Sequence, residues 1–360
     1  MAASPEPFDF DARKQLLDHL SAPGGPLSDG TPSSSHLNPE WFGQGEQVTA
    51  SRNAIHAEMR KKFRAQRPNV KRERRAIVLA GPPGAGKSSA RQKLLIDLGS
   101  TEADWRDLNA DDFKDQLLLQ AARDGSLDHE LAPVGTETLT PRERASLVHE
   151  ESSLLMKQEQ RRAIRRGENI IIDGTLGNES KAALTLDRLV QNGYTVDIIA
   201  VDGPKQITRA RAEHRWKTEL AASARDDADE IARLGGRAVP PGFIDQLYEN
   251  DDESICSGIA RRVADTHPNV ESFQQYLVPR ADAAPELVTK LSGRRADGRW
   301  ARRWTLPRPA AGTESGDSVV GPEIATGDEV HVTGDVAVKT YLRNGHPVSG
   351  YVRRRISKDQ

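Results

Sequence analysis

One cysteine, Cys256, stands in 360 residues, so no internal disulfide can form and no cysteine-clustered zinc site can be built. Aromatic residues are scarce at 5%, and hydrophobic residues reach 36% against 29% charged. A buried core is therefore feasible beneath a very polar surface. No stretch approaches the roughly 18 apolar residues that a membrane helix needs. The start, Met1-Ala2-Ala3-Ser4-Pro5-Glu6-Pro7, lacks the basic and apolar regions of a signal peptide, and a cytoplasmic protein without membrane contact is expected. A formal net charge of −2 gives no global pull towards nucleic acid, so such binding would have to be local.

What is present is an alternation of apolar runs and helical patterns. Ala76-Ile77-Val78-Leu79-Ala80 is continuous and apolar, as a strand buried on both faces reads. Asn169-Ile170-Ile171-Ile172-Asp173 and residues 196–201 repeat that signal, residues 273–278 repeat it weakly, and a shorter strand ends at Leu108-Asn109. Residues 89–98, 142–166, 180–193 and 205–225 between them carry helical periodicity. The alternation predicts an α/β fold, a P-loop kinase-like parallel sheet with helices on both faces.

Three regions follow. Residues 1–70 read as a helical leader: a short amphipathic helix with Leu16, Leu17 and Leu20 on one side, a Gly/Pro/Ser-rich loop, and a second helix over 51–66. That second helix carries Arg52, Arg60, Lys61, Lys62 and Arg64, as a solvated basic face or as a contact surface for a partner or anionic ligand. Residues 71–290 form the kinase-like domain. Residues 291–360 read as a basic linker and a short C-terminal tail, β-rich or disordered. Arginines there surround Trp300 and Trp304, and Asn344-Gly345 is a hairpin-turn signal. Basic residues interleaved with tryptophan are compatible with nucleic-acid contact; a solvated extension is the plainer reading.

The chemistry is carried by Gly81-Pro82-Pro83-Gly84-Ala85-Gly86-Lys87-Ser88, a full G-x-x-x-x-G-K-[ST] pattern between an apolar strand and a helix. Glycines at this spacing let backbone N–H groups close around phosphates, Lys87 reaches the β- and γ-phosphates, and Ser88 offers its hydroxyl to Mg²⁺. Ser89 adjoins it in the nucleotide site, and the helix adds its positive N-terminal end. ATP and Mg²⁺ are the expected cofactors.

No Asn-Lys-x-Asp guanine-reading tetrapeptide occurs, and the strand ending in Asp173-Gly174 lacks the acidic pair of many remodelling ATPases. A small-molecule kinase needs an acid near the acceptor and arginines over the phosphates. The acid is offered by Asn109-Ala110-Asp111-Asp112-Phe113-Lys114, at a strand's carboxyl end where parallel sheets open their crevice. Asp111 or Asp112 could instead cap the following helix, and Asp112 is the better placed to do so. The arginines come from Arg209, Arg211, Arg215, Arg225, Arg233 and Arg237, among which composition does not choose. His149-Glu150-Glu151 lacks the second histidine of a zinc helix and reads as an ordinary helix surface or pocket rim.

Taken in order, the phosphate loop, residues 109–114, Asp173-Gly174-Thr175, His214-Arg215-Trp216 and Gly236-Arg237-Ala238-Val239-Pro240 resemble the zeta toxin family over residues 75–278. The studied members are UDP-N-acetylglucosamine kinases of toxin–antitoxin systems. The resemblance implies that Asp111 activates the sugar 3′-hydroxyl, and that Lys87, Arg215 and Arg237 hold the triphosphate and its developing charge. It also implies that Asp173, Gly174 and Thr175 line the sugar-nucleotide pocket, and that an antitoxin protein is the partner, with no nucleic acid expected. Two departures concern the acceptor: Asp173 stands where Glu is common, and Gly177 stands where a basic residue is frequent. A polynucleotide 5′-kinase and a non-catalytic nucleotide-binding module are the rival readings.

Overall fold

The computed structural model describes residues 8–28, 30–43 and 47–306, together with the backbone of four later strands. The helices are α1 (Phe10–Leu20), α2 (Ala50–Gln66), α3 (Lys87–Asp97), α4 (Ala110–Asp124), α5 (His149–Arg165), α6 (Glu179–Gln191), α7 (Lys205–Ser223), α8 (Pro241–Asp245) and α9 (Ile255–Thr266). The main strands are β1 (Arg75–Ala80), β2 (Arg106–Leu108), β3 (Ile170–Asp173), β4 (Thr195–Asp202), β5 (Val270–Leu277), β6 (Glu286–Arg294) and β7 (Trp300–Thr305).

These seven strands form one sheet in the order β2-β3-β1-β4-β5-β6-β7. The first five run parallel, while β6 and β7 are added antiparallel at one edge. Successive side chains of a strand point to opposite faces, and β1 shows it. Ala76, Val78 and Ala80 join a large core with residues of α4, α5, α6 and α9, whereas Ile77 and Leu79 join a smaller one with Ala90, Leu94 and Leu95 of α3. Because both faces are covered, the strand reads as one apolar run.

The leader is packed into this architecture. Leu17, Leu20, Met59 and Phe63 belong to the larger core. Of the basic residues of α2, Lys61 and Lys62 are exposed, as a solvated face requires, whereas the three arginines are engaged with α5. Arg52 is buried and donates in bidentate fashion to Glu151 of α5 (2.6 and 2.9 Å), and the His56 ring nitrogen lies 2.6 Å from the same carboxylate. Arg60 donates to Gln158 and Arg64 to Glu159. Glu151, read from sequence as helix surface or rim, is thus the buried centre of an ionic cluster.

Residues 291–305, read as the start of a basic linker, run as the end of β6 and as β7. Arg294 lies 3.5 Å from the centre of the Trp300 ring, whose Nε1 donates to Asp265. The chain divides into two units, residues 1–312 and 313–360. In the second, β8 (Asp335–Val338) pairs antiparallel with β11 (Tyr351–Arg354), and β9 (Tyr341–Arg343) with β10 (His346–Val348). The Asn344-Gly345 pair itself lies outside the described residues.

Burial works against the charge of Glu151, but hydrogen bonds from His56 and Arg52 outweigh it and hold its carboxyl down at about 2, from an ordinary 4.5. A depressed carboxyl contributes stability above its unfolded pKa and loses it as pH falls to the folded one. Urea melts should therefore show stability falling between pH 4.5 and about 2, with a flatter profile in Glu151→Gln. At pH 7 that variant should be weaker by about 3–5 kcal/mol, because Arg52 stays buried without its counter-ion. Equal stability of the two proteins at pH 7 would show that the cluster is not structural.

Candidate active site

The loop between β1 and α3 is shaped by glycines where no other residue fits. Gly81 has φ +140° and Gly84 φ +81°, and a Cβ added to either would collide with the carbonyl oxygen of Val201 or Thr208. Gly86 closes the loop in the left-handed region at φ +87°. Lys87 folds back to donate to the Gly81 carbonyl at 3.0 Å, and its ammonium lies 3.9 Å from an oxygen of Asp173. Ser88 and Ser89 are exposed in the first turn of α3, beside the partly buried Pro83 and the buried Pro82 and Ala85. The Gly81 N–H donates to the Thr175 carbonyl at 3.0 Å, which stitches the residues after β3 to the loop.

Five carboxylates gather at the carboxyl ends of β2 and β3 and on the first turns of α4. Asp107 of β2 pairs with Arg91 of α3 at 2.7 Å. Asn109 caps α4, its side chain accepting from the Asp111 N–H at 3.0 Å. Asp112 is therefore not the cap expected of it, because an asparagine already at the N-cap takes that bond. Asp111 is ion-paired with Lys114 at 3.1 Å and with Arg237. Burial opposes the ionised form of Asp111, but Lys114, Arg237 and Arg215 together hold its carboxyl below the ordinary range. Its neighbours go the other way. Burial, with Asp107, Asp115 and Asp111 nearby, pushes Asp112 up to about 6. Burial also raises Asp173, chiefly against Lys87 and with help from Asp107.

The structure thus brings Lys87, Asp111, Asp173, Arg215 and Arg237 into one electrostatic neighbourhood. Arg209 is instead paired with Asp245, while Arg225 and Arg233 are exposed, Arg233 bonding the carbonyl of Ala228. Arg211 donates to the Ala283 carbonyl beside the loop, near Gly86. A Cβ on Gly177 would lie 2.5 Å from Leu247, a buried leucine that occupies the space a longer residue would need.

Sequence reasoning missed Arg91, Asp115, Arg142 and Glu219. The available signal was helical spacing: Arg91 follows Lys87, and Asp115 follows Asp111, by four residues, which places each pair on one face. Among the described residues no group of three or more His, Cys, Asp or Glu side chains is arranged to hold a metal. The exposed Ser88 hydroxyl at the start of α3 would suit Mg²⁺, which takes few protein ligands and completes its shell with phosphates and water.

A Zeta toxin family model matches residues 59–271. No curated protein matches the chain. Among solved structures, the PezAT chromosomal toxin–antitoxin system of Streptococcus pneumoniae is similar at 14% identity and TM-score 0.44, over 68% of this chain and 83% of that one. The AvrRxo1-ORF1:AvrRxo1-ORF2 complex with sulphate ions is similar at 15% identity and TM-score 0.48, over 77% and 76%. The same complex with ATP gives 14% and 0.46, over 71% and 70%.

The G-x-x-x-x-G-K-[ST] pattern is one that cradles phosphates with backbone N–H groups and its lysine. Lys87→Ala should lower ATP consumption by at least about a hundredfold, on the scale of a lost transition-state contact, with the melting temperature nearly unchanged. Full turnover in the purified variant would remove the loop from the chemistry.

Proposed function

The chain belongs to the zeta toxin family, and on that premise we propose that it is a kinase moving the γ-phosphate of ATP to the sugar 3′-hydroxyl of UDP-N-acetylglucosamine. The observation that carries this reading is the ion pair of Asp111 with Arg237, within the field of the exposed Arg215, next to Asp173 and the Lys87 ammonium 3.9 Å from it. Asp111 stands at the carboxyl edge of the parallel strands, where ligands of such sheets bind.

In this reading Lys87 and the loop N–H groups bind the triphosphate. Thr175, whose carbonyl accepts from the Gly81 N–H, and Asp173, beside the Lys87 ammonium, line the sugar-nucleotide side. The acceptor hydroxyl gives its proton to Asp111 as its oxygen bonds to the γ-phosphorus. The bond from that phosphorus to the β–γ bridging oxygen breaks, and ADP leaves. Arg237 and Arg215 offset the charge on the transferring oxygens. Ser88 would hold Mg²⁺ against the phosphates; when bound, the ion supplies charge neutralisation there. Phosphorylated product would interfere with cell-wall precursor synthesis in the cytoplasm, so a neutralising antitoxin protein is the expected partner. The polynucleotide kinase reading leaned on the basic, Trp-containing segment, and Trp300 is engaged there with Arg294 and Asp265.

The test is incubation with ATP, Mg²⁺ and a panel of nucleotide sugars and 5′-hydroxyl oligonucleotides, read by mass spectrometry. One added phosphate on UDP-N-acetylglucosamine is expected. Label on oligonucleotide ends alone, with every sugar nucleotide inert, would transfer the protein to the rival class.

Two variants assign the acid. Asp111→Asn should cut turnover by at least about a hundredfold, within the range of general-base catalysis, and leave ATP affinity and melting temperature nearly unchanged. Asp112→Asn should change turnover little, because Asp112 has Asp107 and Arg67 among its charged neighbours and no ion pair with Arg237. The opposite ranking would move the role to Asp112.

A further inference from the structure

The side chain proposed to meet the transferring phosphate, Arg237, is carried by an irregular loop, yet it is held from several directions. Its Nη2 donates to Asp115 at 2.5 Å, and its Nη1 is ion-paired with Asp111. Its backbone N–H donates to Glu219 of α7 at 3.1 Å. Asp115 is held in turn by a fork: Arg142 donates Nε to one oxygen at 3.0 Å and Nη2 to the other at 2.7 Å. The remaining nitrogen of that guanidinium, Nη1, donates to the carbonyl of Gly235 at 3.0 Å.

Arg142 therefore grips both the carboxylate that receives Arg237 and the backbone two residues before it. The loop can reach this position because Gly235 and Gly236 are bare. A Cβ on Gly235 would strike the Thr140 side chain, and one on Gly236 the Trp216 carbonyl. The side chains of Asp115, Arg142 and Arg237 are 18%, 13% and 18% exposed, so these ion pairs are partly shielded from the solvent screening that weakens surface pairs.

Resting on the kinase reading, we propose that Asp115 and Arg142 are positioning residues: together they aim the Arg237 guanidinium at the reacting phosphate, and neither needs to touch substrate. A fork-to-fork contact fixes direction as well as distance. Asp115, one helical turn from Asp111, sets Arg237 in register with the acid that takes the proton.

The test is a double-mutant cycle on the full chain. Asp115→Asn should lower kcat by roughly 10- to 100-fold, the cost of misplacing a catalytic group by about an ångström. Its KM for ATP should move less than about threefold, since the lost contact is one made in the transition state. In an Arg237→Ala background the same change should lower kcat by less than about twofold, because residues acting through one group are not additive. Arg142→Lys, which keeps the charge and loses the fork, should behave as Asp115→Asn does, and serves if the first variant folds poorly. Equal losses from Asp115→Asn in both backgrounds, or wild-type kcat in Asp115→Asn, would overturn the proposal. A readout free of turnover is the rate at which phenylglyoxal modifies Arg237, followed by peptide mass mapping. It should rise in Asp115→Asn at unchanged melting temperature, and an unchanged rate would also overturn the clamp. A wild-type chain that does not consume ATP would instead defeat the kinase reading, while the modification rate would still judge the clamp.

Discussion

The close approach of the phosphate loop to β4 and α7 is the constraint on which the rest of the site depends. Gly81 lies against the carbonyl of Val201 and Gly84 against that of Thr208, with the Ala212 nitrogen near it. No side chain can enter either contact, so the loop is pinned to the end of one strand and the first turns of one helix. The consequence runs along α7. With Thr208 and Ala212 fixed, the following turns must bring Arg215 and Glu219 over the same crevice. Glu219 then receives the N–H of Arg237, so a loop far along the chain is placed by glycines near residue 80.

Much of this order is legible in the amino-acid sequence. The strand at residues 76–80 is apolar at every position because both of its faces are covered, and the loop glycines follow at the spacing that phosphate binding requires. Asp111 could be proposed because a carboxylate at the end of a parallel strand faces the crevice. Arg237 was chosen only through the family resemblance. Physically, an arginine on an irregular loop carries no periodic signal, and its partner Asp115 lies 122 residues away.

The misreadings share that cause. Periodicity reveals which face of a helix is apolar and says nothing about which charge of a distant helix will meet a basic residue. Arg52 looked solvated because Glu151 is 99 residues further on, and Glu151 looked like surface for the same reason. Residues 300–305 looked like a linker because arginines mask the strand pattern; in β7 they belong to an edge strand, where exposed charge is ordinary and discourages further pairing. Asp112 was assigned the helix cap when Asn109, two residues before Asp111, already supplied it.

The arrangement of carboxylates bears on how such a site can wait for an anion. Lys87, Arg91, Lys114, Arg142 and Arg237 would repel one another if brought together alone. Asp107, Asp111, Asp115 and Asp173 give them partners, so the cations are ordered in advance, as electrostatic catalysis demands. The same crowding drives neighbouring carboxyls apart: Asp112 and Asp173 are raised while Asp111 is lowered. Environments that separate the titration of adjacent acids suit them to different roles, and the carboxyl that is lowered is the one paired with Arg237. Lys114 and Arg237 face Asp111 and, against burial, hold its carboxyl below the ordinary range, which also weakens it as a base. On the kinase reading, a triphosphate competes for Arg237. As the phosphates share the charge of that held guanidinium, Asp111 loses part of the charge that suppresses its proton affinity. The aspartate would then gain basicity as the nucleotide is engaged, which couples proton acceptance to the presence of a phosphate to transfer.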